Sequence, residues 1–385
     1  MGRLRHPFWT LVAIRLAFWL GTALALLWSP VTDPKALPPD RAWGPLSDVF
    51  FGAYEHWDAQ WFLHIAKDGY NSTSAAFFPL YPALLHLAGS SLAAGTLISL
   101  AAAGFAAWCL AEIARPHLGD DGARDTVLLL ALFPTAFVFC SLYSDALFLA
   151  LSAASFLAAT RGRPWLAGVA GGLAVETRLI GLALLAPLAV LLWERRRPWR
   201  LAPLLLLPAA VGLFALYLRW KIGDPWAFRD AQVFWQRKTA TLGPLGGLWM
   251  AIQAGGHGGL EILRHLPRGT GAPAGFTPTD RLAFWNAAHL VLLVPAGWLT
   301  WYAWRRLGAA FGAYSLATLL VVLAAPSKGF PLVSLPRFLM DDFPLIVALA
   351  ALGRDRPALR QGLLIAFAAL GAVASVAFSH RLWVA

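Results

Sequence analysis

The feature that most limits what this chain can become is a recurrence: about eleven apolar runs of a length to cross or nearly cross a bilayer follow one another along it. They occupy residues 8–28, 92–113, 126–141, 146–159, 165–177, 180–193, 201–217, 282–304, 309–324, 338–352 and 363–378. A helix rises about 1.5 Å per residue, so roughly 20 apolar residues span the hydrocarbon core. Arginines fall at every second junction: Arg115 and Arg124, Arg161 and Arg163, Arg195 to Arg197 with Arg200, Arg305 and Arg306, then Arg354, Arg356 and Arg360. Under the positive-inside rule those junctions are cytoplasmic, as is the N-terminus with Arg3, Arg5 and His6. The first run is longer than a signal-peptide core and no small-residue cleavage site follows it, so it reads as the first membrane helix. Arg15, about two turns into that run, is expected to snorkel towards the headgroups.

The expectation is an all-α polytopic membrane protein in one transmembrane domain, residues 1–385. The first loop (29–91), a long loop (219–280) and the segment 326–337 are left outside. Composition agrees, since 59% of residues are hydrophobic and only 13% charged, against roughly a quarter in soluble domains. The net charge of +11 is accounted for by the inner-face arginines, so nucleic acid is not a predicted partner. Nineteen tryptophans suit interfacial belts. Cys109 and Cys140 both lie in apolar runs and read as packing residues. The short inner connections leave no room for a nucleotide-binding domain, and no Gly-rich phosphate loop is present.

Polar chemistry gathers in the first external loop, 29–91. It carries Pro30, Pro34, Pro38, Pro39 and Pro45 and then HWDAQWFLHIAKDGYNSTSAAFFPLYP from His56 to Pro82. Trp57, Trp61 and Ile65 recur every four residues beside Phe62 and Ala66, which predicts a short helix lying in the interface. Asp58 stands at its start. It is either an N-cap or a general base with restricted water access, and the two roles are compatible. Trp57 and Trp61 offer aromatic faces to a lipid or sugar, while Gln60 and Tyr81 complete the candidate substrate-contacting set. His56 and His64 either orient substrate or anchor the interface. Tyr143, Ser144 and Asp145 form a polar turn, in which Asp145 is a cap or a substrate contact. Arg178 and Arg337 lie at the outer ends of runs, with Lys328 and Arg219 near in topology. Each is a candidate grip for phosphate oxygens or an ordinary snorkelling side chain. No metal is expected, because no DxD pair flanks Asp58 and no His/Asp/Glu spacing looks like a ligand set.

WDAQWFLHIAKDGY followed by AFFPLYP resembles the signature of the PIG-V type mannosyltransferases and their bacterial relatives, membrane glycosyltransferases of the GT-C class. The likeness continues in FPTAFVFCSLYSDALFLALS (133–152), ETRLIGLAL (176–184) and LPRFLMDDFPL (335–345). It implies a polyprenyl-phosphate sugar, with mannose favoured, as donor, a lipid or glycan hydroxyl as acceptor, and inversion without a metal. It also implies Asp58 as the catalytic base, with the Tyr143–Asp145 turn facing the same cavity. The chain departs from the family pattern at Asp145, near Leu179 and at Asn71-Ser72-Thr73, which bears on the acceptor. The Ala/Leu/Arg-rich composition points to a bacterial inner membrane with the site on the periplasmic face. Two other readings are a flippase for a lipid-linked sugar and a ligase moving a whole glycan. A flippase would carry its polar groups at the bilayer midplane, often in repeated halves, whereas here they cluster in loops.

Overall fold

The computed structural model describes residues 2–28, 50–194, 197–265 and 278–384, with side chains from residue 6 onwards. The proline-rich part of the first loop, the pair Arg195 and Arg196, and the Gly/Pro-rich stretch 266–277 lie outside the described residues. The described residues form helices α1 (Gly2–Trp28), α2 (Asp58–Asp68), α3 (Leu80–Leu87), α4 (Leu92–Leu132), α5 (Asp145–Thr160), α6 (Pro164–Thr177) and α7 (Leu185–Leu192). They continue with α8 (Leu206–Ile222), α9 (Pro244–His265), α10 (Pro278–Arg306), α11 (Ala309–Ala324), α12 (Leu335–Asp341), α13 (Phe343–Arg354) and α14 (Pro357–Ser379). Among them the one extended pairing is an isolated bridge between Arg237 and Ser327.

Helices lie on the predicted apolar runs, except that run 126–141 leaves α4 at Leu132 and continues as a 3-10 turn at Ala136–Cys140; among the described residues five helices are long and apolar enough to cross a membrane by themselves. The chain is an integral membrane protein. Four further apolar helices have 10–17 residues, about 15–25 Å, and are shorter than the hydrocarbon core. The 41 residues of α4 are not one rod. Gly119 breaks it at φ 74°, a left-handed conformation that costs glycine little. Gly95 near its start meets Leu142 just beyond its end, so the element doubles back.

Three expectations change. Arg15 does not snorkel: it is 1% exposed, and its Nη1 donates to the Ala131 carbonyl at 2.9 Å. That carbonyl belongs to the last turn of α4, where the helix itself offers no donor, and a cation there also meets the negative end of the helix dipole. Secondly, the 219–280 stretch is not loop throughout. Arg219 lies within α8 and bonds the Gly223 carbonyl at 3.2 Å, and 22 residues of the stretch form α9. A Cβ on Gly247 would lie 1.7 Å from the Leu323 carbonyl oxygen, and one on Gly258 2.2 Å from that of Ala283. These glycines let α9 pack against α10 and α11 at backbone distance, as small residues do between membrane helices. Thirdly, the face that α2 buries is Ala59, Phe62, Leu63, Ile65 and Ala66, leaving Trp57 and Trp61 half-buried at its edge.

One end of the bundle collects the polar residues. α2 and α5 both start there, α6 ends there at Thr177, and α12 sits between. The loop before α12 is held by α10, where Asn286 donates to the Gly329 carbonyl at 3.0 Å and His289 Nδ1 bonds that of Leu332 at 2.9 Å.

Candidate active site

Asp58 is not the cap of α2. Trp57 takes that position and Asp58 is the first helical residue, an acid in the first turn where the helix dipole favours one. Trp57 has φ 52°, a left-handed conformation unusual for a bulky side chain and costing on the order of 1–3 kcal/mol. Packing enforces it. The Trp57 ring rests on Phe378 at 5.0 Å, and the preceding His56 packs on the same ring at 5.7 Å. The Tyr143 hydroxyl donates to the His56 carbonyl at 3.1 Å. Thus α14, through Phe378, and the turn before α5, through Tyr143, together fix where Asp58 points. It points at Arg337, with Oδ2 to Nη2 at 2.9 Å, while a quarter of the side chain remains exposed.

Arg337 is the hub of a buried ion network. Its Nε and Nη2 donate to the two oxygens of Asp145 at 3.1 and 2.8 Å, and its guanidinium lies 4.6 Å above the Tyr143 ring. Arg178 Nη1 donates to the same carboxylate at 2.8 Å and to Asp341 at 2.5 Å, with the Phe338 ring 5.0 Å away. Asp145 is fully buried and engaged by both arginines. It therefore works as a shared counter-charge that orients two guanidiniums, rather than as a cap or an open substrate contact. Removing one partner of such a group leaves an uncompensated buried charge, which is why the network holds its geometry. Local sequence sets α12 in place, since Pro336 occupies its first turn and Ser334 enters at φ 63°.

A third arginine joins them. Half-buried Arg237 has no carboxylate within ion-pair distance among the described residues; its Nη2 reaches only the Val333 carbonyl, at 3.5 Å, and its guanidinium lies 5.8 Å from the Phe338 ring. Burial, then the neighbouring Arg178 and Arg337, push it down to about 10 against the pull of Asp58, so it stays a cation at neutral pH. Its segment is laid against 326–328: besides the Arg237–Ser327 bridge, Lys238 N–H donates to the Pro326 carbonyl at 3.3 Å and Lys328 N–H to that of Gln236 at 2.9 Å. The sequence reading missed Arg237. The available signal was a base within a stretch assigned to the outer face, where the positive-inside rule does not ask for one.

The other candidates divide. Trp61 builds an aromatic wall with Phe77, Phe234 and Trp235 at 6.1, 5.9 and 5.7 Å beside Arg237. Gln60 bonds the Glu55 carbonyl at 3.4 Å. His64 turns away, donating to Asp68 at 2.8 Å and accepting from Asn71 at 3.1 Å. Tyr81 is buried, its hydroxyl shared with Ser99 at 3.0 Å and the Gly95 carbonyl at 3.2 Å, so it supports the Tyr143 turn from below. Lys328 is exposed and stands outside the ion network. Among the described residues no three His, Cys, Asp or Glu side chains converge as a metal-ligand set.

No family model matches the chain. It is 32% identical to human GPI alpha-1,6-mannosyltransferase 2 over 167 residues, 39% of this chain and 34% of that protein. To the mouse protein of the same name it is 31% identical over 210 residues, 48% of this chain and 41% of that one. The chain thus spans less than half the length of the curated relatives it matches. Of solved structures, the apo oligosaccharyltransferase of Archaeoglobus fulgidus aligns over 98% of this chain and 55% of its own, at 15% identity and TM-score 0.43. The archaeal AglB complex with an inhibitory peptide and a dolichol-phosphate gives 14% identity and TM-score 0.38. Over these matched parts the chain is similar to the GPI alpha-1,6-mannosyltransferase 2 proteins of human and mouse.

Proposed function

We propose that this protein is a GT-C type glycosyltransferase that moves a sugar, mannose by the name of its relatives, from a polyprenyl-phosphate donor to a hydroxyl of a lipid or glycan acceptor. The observation that carries the reading is Asp58 held 2.9 Å from Arg337 beside Arg237, which has no acid partner among the described residues. A carboxylate beside a cation left free of acid partners, at one partly exposed point, is what inverting transfer from a phosphate requires. Asp58 accepts the proton of the acceptor hydroxyl as that oxygen attacks the anomeric carbon. The bond from that carbon to the phosphate oxygen breaks, and the released lipid phosphate keeps the electron pair. Arg237 and Arg337 take up its growing negative charge. One such interaction at 4 Å is worth about 4 kcal/mol at an effective dielectric of 20, and more where water is excluded. Asp145 holds Arg337 and Arg178 so that little reorganisation is needed as charge develops. The arginines supply the charge compensation that a divalent ion gives nucleotide-sugar enzymes, and the reaction proceeds without a metal.

The mannosyltransferase homology and the membrane helices support this reading. By the positive-inside rule the arginine-rich junctions lie inside and leave the site on the outer face, and the Ala/Leu/Arg-rich composition favours a bacterial inner membrane. The test is turnover by the full chain in detergent or nanodiscs with polyprenyl-phosphate mannose and candidate glycolipid acceptors, against a nucleotide-sugar control. Product from the lipid-phosphate donor alone is expected. Movement of donor across a bilayer without any product would instead establish a flippase.

A further inference from the structure

At the end of the bundle opposite Asp58 the structure holds a separate cavity of about 450 Å³, within the usual range for ligand pockets. It lies between the α4 segment that precedes Gly119, the last turn of α5 and the first turn of α11. Phe156, the lining residue of α5 nearest to Asp145, lies 11 residues further along that helix, roughly 16 Å by its rise, so the cavity is no part of the site above. Its walls are apolar, formed by Ile113, Phe156 and Phe311, and its rim carries Arg115, Arg161 and Glu112. Glu112 is shared by both arginines: Arg161 Nη2 donates to its Oε2 at 2.7 Å, and Arg115 Nη1 pairs with its Oε1. Arg115 Nε also reaches exposed Asp120 at 2.8 Å. The two guanidiniums thus face Glu112 in the lining and exposed Asp120 beyond it, and most of their N–H donors remain unused.

The depth of the cavity is marked by its neighbours. Gly312, next to Phe311, packs under the Trp304 ring, and Trp301 and Trp304 are both substantially exposed just before Arg305 and Arg306. Exposed indoles followed by arginines are characteristic of headgroup level. An apolar slot with a cationic rim at that level matches an amphiphile, with phosphate on the rim and the start of an acyl chain inside. A free anion would gain nothing from the Phe156 and Phe311 walls. Basic pockets between membrane helices are known lipid headgroup sites.

We infer that this cavity binds one anionic phospholipid through Arg161 and Arg115, as a structural ligand independent of the transfer reaction. The test uses the full chain in a neutral detergent, titrated with mixed micelles of phosphatidylglycerol or phosphatidylcholine, or with inorganic phosphate. Bound lipid is counted by native mass spectrometry and the thermal midpoint is followed. Phosphatidylglycerol is expected to bind at one saturable site and raise the midpoint, with Arg161→Gln weakening it about tenfold. Arg161 is 44% exposed, so its replacement leaves the fold intact; Arg115→Gln supplies the second variant. Equal binding of phosphatidylcholine would overturn the inference. So would unchanged phosphatidylglycerol binding in both variants, or inorganic phosphate matching the lipid in affinity and midpoint shift.

Discussion

Asp145 offers the sharpest test of how the site is built. Its carboxylate accepts three charge-assisted hydrogen bonds, at 3.1 and 2.8 Å from Arg337 and 2.8 Å from Arg178, and is fully buried. Asp145→Ala leaves Arg337 with Asp58 and Arg178 with Asp341, each at the edge of the network. Charge-assisted bonds are worth about 1.5–3 kcal/mol apiece, but the charges were costly to bury. The net loss on breaking a buried pair is therefore about 3–5 kcal/mol. Denaturant titration in detergent should show a loss of that size. Asp145→Asn, which keeps one acceptor oxygen, should lose less. In Asp145→Asn protein that still folds, turnover should fall mainly through a weaker response to donor, since Arg337 is no longer oriented. A loss under about 1 kcal/mol for Asp145→Ala, with donor KM unchanged in Asp145→Asn, would refute the counter-charge role and return Asp145 to an open substrate contact.

Arg237→Ala should fold normally, because no carboxylate among the described residues pairs with it, yet lower kcat/KM for the lipid-phosphate donor about 10²–10³-fold; normal kinetics would remove it from the phosphate site. Chelation with EDTA should leave the rate unchanged, and restoration by added Mg²⁺ or Mn²⁺ after a loss would show that the arginines are not the sole counter-charge. Gly247→Ala places a methyl 1.7 Å from the Leu323 carbonyl oxygen and should destabilise by about 1–3 kcal/mol or more, measured as a lower thermal midpoint; tolerance of alanine would mean that α9 packs less tightly.

How much of this could be read in the sequence depended on the range of the interactions. Helices set by apolar runs, and the α2 helix set by Trp57, Trp61 and Ile65, follow from local periodicity. Asp58 and Arg337 stood out because each interrupts such a pattern with charge. The partnerships between them did not, since Arg337 meets Asp145 across 192 residues and Arg178 meets Asp341 across 163. Asp341 and Phe378 went unremarked, one inside a quoted motif and the other inside an apolar run. Arg15 reads as a snorkelling side chain because depth along a helix says nothing of which face it uses. The α9 glycines read as loop in sequence because glycine marks both turns and close helix contacts, and only the neighbouring backbones of Leu323 and Ala283 decide between them.

The most direct measurement is single-turnover mannosyl transfer from polyprenyl-phosphate mannose by wild-type protein and Asp58→Asn, with donor binding measured on the same samples. A general base contributes about 10²–10⁴-fold, so the variant should bind donor as well as or better than wild type, with Arg337 freed from one acid, and transfer at least a hundred times more slowly. Transfer at the wild-type rate by Asp58→Asn would contradict the central claim.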